Sequence, residues 1–296
     1  WLAKSGKRWR PFLALCAYEA LRDDPEAPAP ADFRKIAVAV ECFHKASLIH
    51  DDIEDNDPLR YGEQTLHAAY GIPIALNVGD FLLGEGYRLI AESNAPDARK
   101  TAMLRAAAGG HRSLCTGQGD ELAWARSPKP LPAQPGLDIF RLKTAPAFEV
   151  ALRLGALYGG AADSVWQVLH ECSDALGIAY QVRDDMDDLF GDPPPTLPVC
   201  FGPSILLALA HERVEGRADG DARRLLDALW RSPALARQKA EELRAVLTAL
   251  AIETAARQML ESYREKAIRS LQPLENASLK GLLRRVIAKI FNELET

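Results

Sequence analysis

The chain has 296 residues, 48% of them hydrophobic and 26% charged, the proportions of a folded globule with room for a large core and not of a disordered segment. Its 36 basic and 41 acidic side chains leave a formal charge of −5, which argues against a surface built to wrap nucleic acid. No apolar run approaches the ~18 residues of a membrane span, so an integral membrane segment is excluded from the expectation.

Apolar residues at three- and four-residue spacing predict helices over Trp9 to Leu21, Ala31 to Asp55, Ile74 to Glu92, Ala98 to Trp124, Lys143 to Tyr158, Asp163 to Phe190, and from Ser204 to the end. Proline and glycine gather at Asp24 to Pro30, Ser127 to Gly136 and Gly191 to Pro203, which read as loops between helices. Strand-period alternation is hard to find, and no solenoid repeat is present. The expected architecture is all-α, a single large antiparallel helical bundle over residues 1–296. Cys16, Cys42, Cys115, Cys172 and Cys200 stand far apart and odd in number, which is the pattern of buried thiols in a reducing compartment, the cytoplasm. A chain that opens at Trp1 allows no targeting peptide to be judged.

Just before the first helix, Lys7, Arg8 and Arg10 form a basic knot. Anions bind well where cationic side chains meet the free N–H groups of a helix start. The second helix ends in Leu48-Ile49-His50-Asp51-Asp52-Ile53-Glu54-Asp55-Asn56-Asp57, five acids within seven residues. Asp51 and Asp55, four apart, project from one helical face, and oxygen-only ligands of this kind suit a hard cation such as Mg²⁺. Tyr180-Gln181-Val182-Arg183-Asp184-Asp185-Met186-Asp187-Asp188 repeats the arrangement after another apolar helical run. Acids at a helix C-terminus sit badly against the helix dipole, so a merely decorative origin for both clusters is hard to defend. If the two helices face one another, Asp51, Asp55 and Asp184, with Asp188 the weaker candidate, share Mg²⁺ ions and a diphosphate.

These motifs resemble those of the trans-prenyltransferases, or polyprenyl diphosphate synthases, whose two DDxxD motifs read Asp51 to Asp55 and Asp184 to Asp188 here. The likeness runs from about Gly6 to Asp192 and keeps the family's order: Gly6-Lys7-Arg8-Trp9-Arg10-Pro11, His44, Gly62-Glu63-Gln64-Thr65-Leu66-His67, Gly117-Gln118-Gly119 and Lys143-Thr144. It implies the isoprenoid synthase type of bundle with a central substrate cavity, three Mg²⁺ ions with bound diphosphate, and a homodimer made by helices near the middle of the chain. It also implies condensation of isopentenyl diphosphate with an allylic diphosphate. By the same resemblance Lys7, Arg10 and His44 grip isopentenyl diphosphate, and Arg60 and Lys143 hold the leaving diphosphate. The oxygens of Thr144 and Gln181 then face the developing allylic cation.

Two departures stand out. The family's second arginine after the first motif is replaced by Tyr61, and a phenol gives one neutral hydrogen bond where arginine gives a charged fork. After Gly191-Asp192 the family's longer, lysine-bearing loop is absent; the chain reads Pro193-Pro194-Pro195-Thr196-Leu197-Pro198, and we read Pro195-Thr196 as the point of an omission. Product length follows from helix geometry. Ala46 and Ser47, one turn before Asp51, are small and leave a channel open. Phe43, eight residues from Asp51 or roughly 12 Å at 1.5 Å per residue, is the expected floor, which sets a twenty-carbon product, geranylgeranyl diphosphate or longer. Two rival readings are a terpene cyclase using one allylic diphosphate, invited by Tyr61, and a non-catalytic subunit of a prenyltransferase heteromer.

Overall fold

The computed structural model describes residues 8–22, 24, 29–161, 163–190, 202–215, 220–236 and 238–292. Lys7, Cys200 and the Pro195-Thr196 junction lie outside the described residues. The chain is almost wholly helical: α1 (Trp9–Leu21), α2 (Phe33–Glu54), α3 (Leu66–Tyr70), α4 (Ile72–Ala91), α5 (Asp97–Arg126), α6 (Ala133–Gly159), α7 (Trp166–Phe190), α8 (Ile205–Val214), α9 (Gly220–Arg231), α10 (Ala240–Ala249), α11 (Ile252–Ser270) and α12 (Ala277–Asn292). The all-α expectation is met. Short 3₁₀ turns cover Asp163–Val165 and Pro233–Ala236. The one departure among the described residues is a small antiparallel hairpin, β1 (Leu59–Arg60) with β2 (Glu63–Gln64), paired Leu59 to Gln64 and Arg60 to Glu63.

That hairpin escapes a periodicity reading because each strand is two residues long. Its turn places both Tyr61 (φ 54°) and Gly62 (φ 78°) in the left-handed region, the type I′ geometry whose twist suits a two-residue hairpin. Glycine adopts it freely; tyrosine does so at some strain.

The start of α6 also differs from expectation, ten residues before Lys143. Ala133-Gln134-Pro135-Gly136 reads as loop, yet a proline in the first helical turn sacrifices no hydrogen bond. The start is secured from afar, where the Ala133 N–H donates to the Glu212 carboxylate of α8 at 2.8 Å. Among the described residues the predicted continuous run from Ser204 is instead five α-helices, with breaks such as Ser232-Pro233 and Ala251, whose φ is 51°.

Two compact units divide the chain: residues 1–111, 147–170 and 273–283 form one, and 112–146, 171–272 and 284–296 the other. In the first, α2 lies along α4 through Cys42, Ala46 and Ile49 against Ala75 and Leu82. Spacings of three and four put these residues on one helical stripe. Tyr18, Phe33 and Tyr158 form an aromatic cluster with centroids 4.6 to 5.6 Å apart. The core of the second unit joins α7 to α8, α9, α10 and α11 around the fully buried Trp230, packed edge-on to Trp124 at 5.6 Å. Such a pair contributes about 0.5–1.5 kcal/mol beyond the area it buries. Among the described cysteines Cys42 and Cys172 are buried, but Cys115 is exposed on α5, which corrects the expectation of uniformly buried thiols. No helix among the described residues is long and apolar enough to cross a membrane.

Candidate functional site

In the first unit, His44, Asp51 and Asp55 lie at spacings of seven and four along α2 and so share one stripe of it. Asp55 closes the helix, its N–H donating to the Asp51 carbonyl at 2.8 Å. Arg10, in the first turn of α1, donates to His44 Nε2 at 3.2 Å and lies 5.5 Å from the Phe148 ring centre. Burial, reinforced by the positive charges of Arg10, Lys45 and Arg60, pushes the His44 imidazole down to about 2. His44 is therefore neutral, and with Nε2 accepting, its proton resides on Nδ1.

Asp52 points away from this stripe. Only 1% exposed, it is bonded by Arg60 from the β1–β2 hairpin. Burial raises the Asp52 pKa, with the Arg60 hydrogen bond opposing. Arg60, expected to hold a diphosphate, is thus tied to the second aspartate of the first motif. Tyr61 stands at the hairpin tip, 66% exposed.

The expected product-length residues divide in two. Ala46 is fully buried in the α2–α4 core, and the Ser47 hydroxyl donates to the His44 carbonyl at 2.9 Å. Phe43 stacks edge-on against Tyr87 of α4, centroids 5.0 Å apart.

In the second unit, α6 passes Lys143, Thr144 and Ala145 between two glycines. A Cβ on Gly117 of α5 would come within 2.6 Å of the Lys143 backbone nitrogen, and one on Gly177 of α7 within 2.5 Å of the Ala145 nitrogen. Only glycine allows so close an approach of three helices. The approach lets Gln181 Nε2 donate to Thr144 Oγ1 at 2.9 Å, so these two expected partners do meet. The Lys143 ammonium is held by Glu121 of α5 at 2.5 Å. Pro146 follows at once and removes an N–H from the helix ladder.

Asp184 and Asp188 lie four apart in the last two turns of α7. The Asp184 carboxyl is pushed up to about 7 by burial and by Asp188, Asp187 and Asp185, with the Arg183 guanidinium opposing at 3.9 Å. Its side chain keeps 43% exposure, an approach for a ligand. Burial and Asp187 raise the Asp188 pKa. Asp185 is turned inward, where one oxygen accepts from Ser204 Oγ at 3.0 Å, the Ile205 N–H at 2.6 Å and the Leu206 N–H at 3.4 Å. It therefore caps α8 from outside that helix, and burial still pushes it up to about 7.

The division of labour is the same in both clusters. The second aspartate anchors a neighbouring segment, while the first and fifth stay on the open stripe. Among the described residues, no three His, Cys, Asp or Glu side chains stand close enough to hold a metal ion by themselves. Mg²⁺ keeps several waters and takes one or two carboxylates together with substrate phosphates. The donors fit such an ion: all are carboxylate oxygens, and a dication offsets both the burial and the neighbouring carboxylates that raise the Asp184 pKa.

Sequence reasoning names Arg60 but not its partner Asp52, does not single out Glu121, the partner of Lys143, and includes Gln118 only within a motif. Gln118 is 8% exposed, and neither its Nε2 nor its Oε1 has a protein partner among the described residues.

Residues 1–196 match the family model described as polyprenyl synthetase. The chain is 33% identical over 192 residues to a short chain isoprenyl diphosphate synthase of Methanocaldococcus jannaschii, a match covering 64% of this chain and 56% of that relative. It thus spans little more than half of that relative's length. A geranylgeranyl diphosphate synthase of Cereibacter sphaeroides is 33% identical over 231 residues, 76% of this chain and 74% of the relative. Among solved structures, a geranylgeranyl pyrophosphate synthase from Corynebacterium glutamicum, complexed with isoprenyl diphosphate and magnesium, superposes with a TM-score of 0.86 at 21% identity, covering 98% of this chain and 87% of that one. That likeness carries the fold.

Proposed function

This chain belongs to the polyprenyl synthetase family, and we propose that it is a trans-prenyltransferase, joining isopentenyl diphosphate head to tail to an allylic diphosphate. The observation that carries this reading is the repeated pair of aspartates at four-residue spacing, Asp51 with Asp55 and Asp184 with Asp188, each at the C-terminal end of a long helix whose dipole calls for cations. These four carboxylates would hold the metal, and the magnesium in the Corynebacterium structure supports the assignment. Bound Mg²⁺ supplies charge neutralisation of the leaving diphosphate, which promotes breaking of the allylic C–O bond.

The remaining work falls to the chain itself. Arg10, with Lys7, grips the diphosphate of isopentenyl diphosphate, and neutral His44 offers Nδ1–H to the same group. Lys143, oriented by Glu121, and Arg60, oriented by Asp52, place positive charge toward the allylic diphosphate. The Gln181–Thr144 hydrogen bond fixes both side chains, so that the Gln181 carbonyl oxygen and the Thr144 hydroxyl oxygen present negative dipoles to the allylic cation. The isopentenyl double bond attacks that cation, and the proton lost from the adduct passes to the released diphosphate.

The proposed product is geranylgeranyl diphosphate or longer, with Ser47 too small to stop a growing chain and Phe43 as the floor; Ala46, buried against α4, faces no channel. The chain would act as one catalytic domain in the cytoplasm, a setting in keeping with its five widely spaced cysteines. A homodimer is part of the proposal. Tyr70, Ile72, Ile74 and Phe81, 53% to 66% exposed on α3 and α4, support it as an uncovered apolar surface.

The test incubates the purified chain with Mg²⁺, isopentenyl diphosphate and, in turn, dimethylallyl, geranyl and farnesyl diphosphates, and sizes the extracted products by mass spectrometry. Linear diphosphates of twenty carbons or more are expected. Hydrocarbons or alcohols formed without isopentenyl diphosphate would replace the reading with a cyclase, and no turnover would replace it with a non-catalytic subunit.

A further inference from the structure

Product length in this chain is not a matter of α2 alone. Phe43 is half-buried, and its ring lies directly on Gly86, a buried residue of α4. A Cβ on Gly86 would fall 2.6, 2.8 and 2.9 Å from Cε1, Cζ and Cδ1 of that ring. Carbon atoms in contact sit at about 3.5–4.0 Å, so any side chain at position 86 forces the ring off α4. Its sideways escape is limited by Tyr87, whose ring is 5.0 Å away, and Tyr87 is in turn tethered by its hydroxyl to His111 Nδ1 of α5 at 3.4 Å. The ring of Phe43 is thus seated on α4, with α5 holding Tyr87, and the seat is the missing side chain.

We infer that Gly86 is a specificity-determining residue: by letting the Phe43 ring lie flush on α4, it sets the depth available to the growing prenyl chain. The inference rests on the prenyltransferase reading and on Phe43 as the floor. A methyl group at position 86 lifts the ring away from α4, with Tyr87 blocking one side, and the floor rises. The clash is with the ring tip and not with backbone, so it is the Phe43 side chain that yields.

Gly84 provides the control. It lies on the same helix two residues earlier, is exposed, and a Cβ there would meet nothing within 4 Å. Gly84→Ala therefore carries the same gain in helix propensity without touching Phe43.

The experiment compares products from isopentenyl and farnesyl or geranyl diphosphates for the wild-type chain, Gly86→Ala, Gly84→Ala, Phe43→Ala and the double variant Gly86→Ala/Phe43→Ala. The expected result is a product shorter by one five-carbon unit for Gly86→Ala, an unchanged profile for Gly84→Ala, and the same lengthened profile for Phe43→Ala with or without the second change. An unchanged or lengthened product from Gly86→Ala overturns the inference, and so does a Gly86→Ala effect that persists when Phe43 is gone. If Gly86→Ala does not fold, recovery of a folded, elongating double variant supports the clash with Phe43, and failure of the double variant overturns it. A wild-type chain that does not elongate at all overturns the prenyltransferase reading itself, an outcome separate from these.

Discussion

Replacing Gln118 with methionine tests whether a costly residue is kept for chemistry. The side chain is 92% buried by complement of its 8% exposure, and both amide atoms lack a protein partner among the described residues. An unmet buried polar group costs about 1–3 kcal/mol. Methionine keeps the unbranched shape and removes both polar atoms, so Gln118→Met is expected to raise the unfolding free energy by about 1–3 kcal/mol in a urea titration of the ligand-free chain. Gln118 follows Gly117, which abuts the Lys143 backbone, and under the proposed prenyltransferase reading its amide bonds to the bound diphosphate. A hydrogen bond to a charged group is worth about 1.5–3 kcal/mol, which at 1.4 kcal/mol per tenfold is a fall of about ten- to a hundredfold in kcat/KM for the allylic diphosphate. The pairing of higher stability with lower activity is the signature. A Gln118→Met chain that is less stable than wild type, with unchanged kcat/KM, would show that the amide serves packing and refute the reasoning.

Gly177→Ala drives a methyl group to within 2.5 Å of the Ala145 backbone; backbone cannot swing aside as a side-chain tip can, so a loss of about 1–3 kcal/mol or more in unfolding free energy is expected, together with lost activity as Thr144 parts from Gln181. Burial is the largest single effect on Asp32 and raises its pKa, but Lys35 at 2.8 Å, the Asn94 N–H at 2.6 Å and the Tyr158 hydroxyl at 3.1 Å together outweigh it and hold the carboxyl below the usual aspartate range. A depressed folded pKa adds stability that is present above the unfolded value and is lost as pH falls through the folded one. Asp32→Asn should therefore be less stable than wild type by about 1–2 kcal/mol at neutral pH, with the gap closing in acid below the aspartate range; a gap that stays constant in urea melts down to pH 2 would count against it. Alkylation of the native chain, mapped by mass spectrometry, should label exposed Cys115 well before Cys42 and Cys172. Burial pushes those two thiols up to about 11 and about 12, respectively, and thiolate is the reactive form. Early labelling of Cys42 or Cys172 would contradict their placement.

What could be read directly from the chain was what local spacing controls. α1 runs from Trp9 to Leu21 as the periodicity predicts, and the stripe of His44, Asp51 and Asp55 follows from 3.6 residues per turn without reference to any other element. The second aspartates were beyond such reasoning. Whether Asp52 and Asp185 serve a metal or the fold depends on Arg60, brought in by a two-residue turn, and on the N-terminus of α8, twenty residues further on. The start of α6 at a Pro-Gly sequence, the Glu121–Lys143 pair and the seating of Phe43 on Gly86 likewise depend on partners supplied by other helices. Helical periodicity is a property of neighbours along the chain, whereas a buried charge or ring is placed by the group that satisfies or accommodates it, and only packing of the helices decides which group that is.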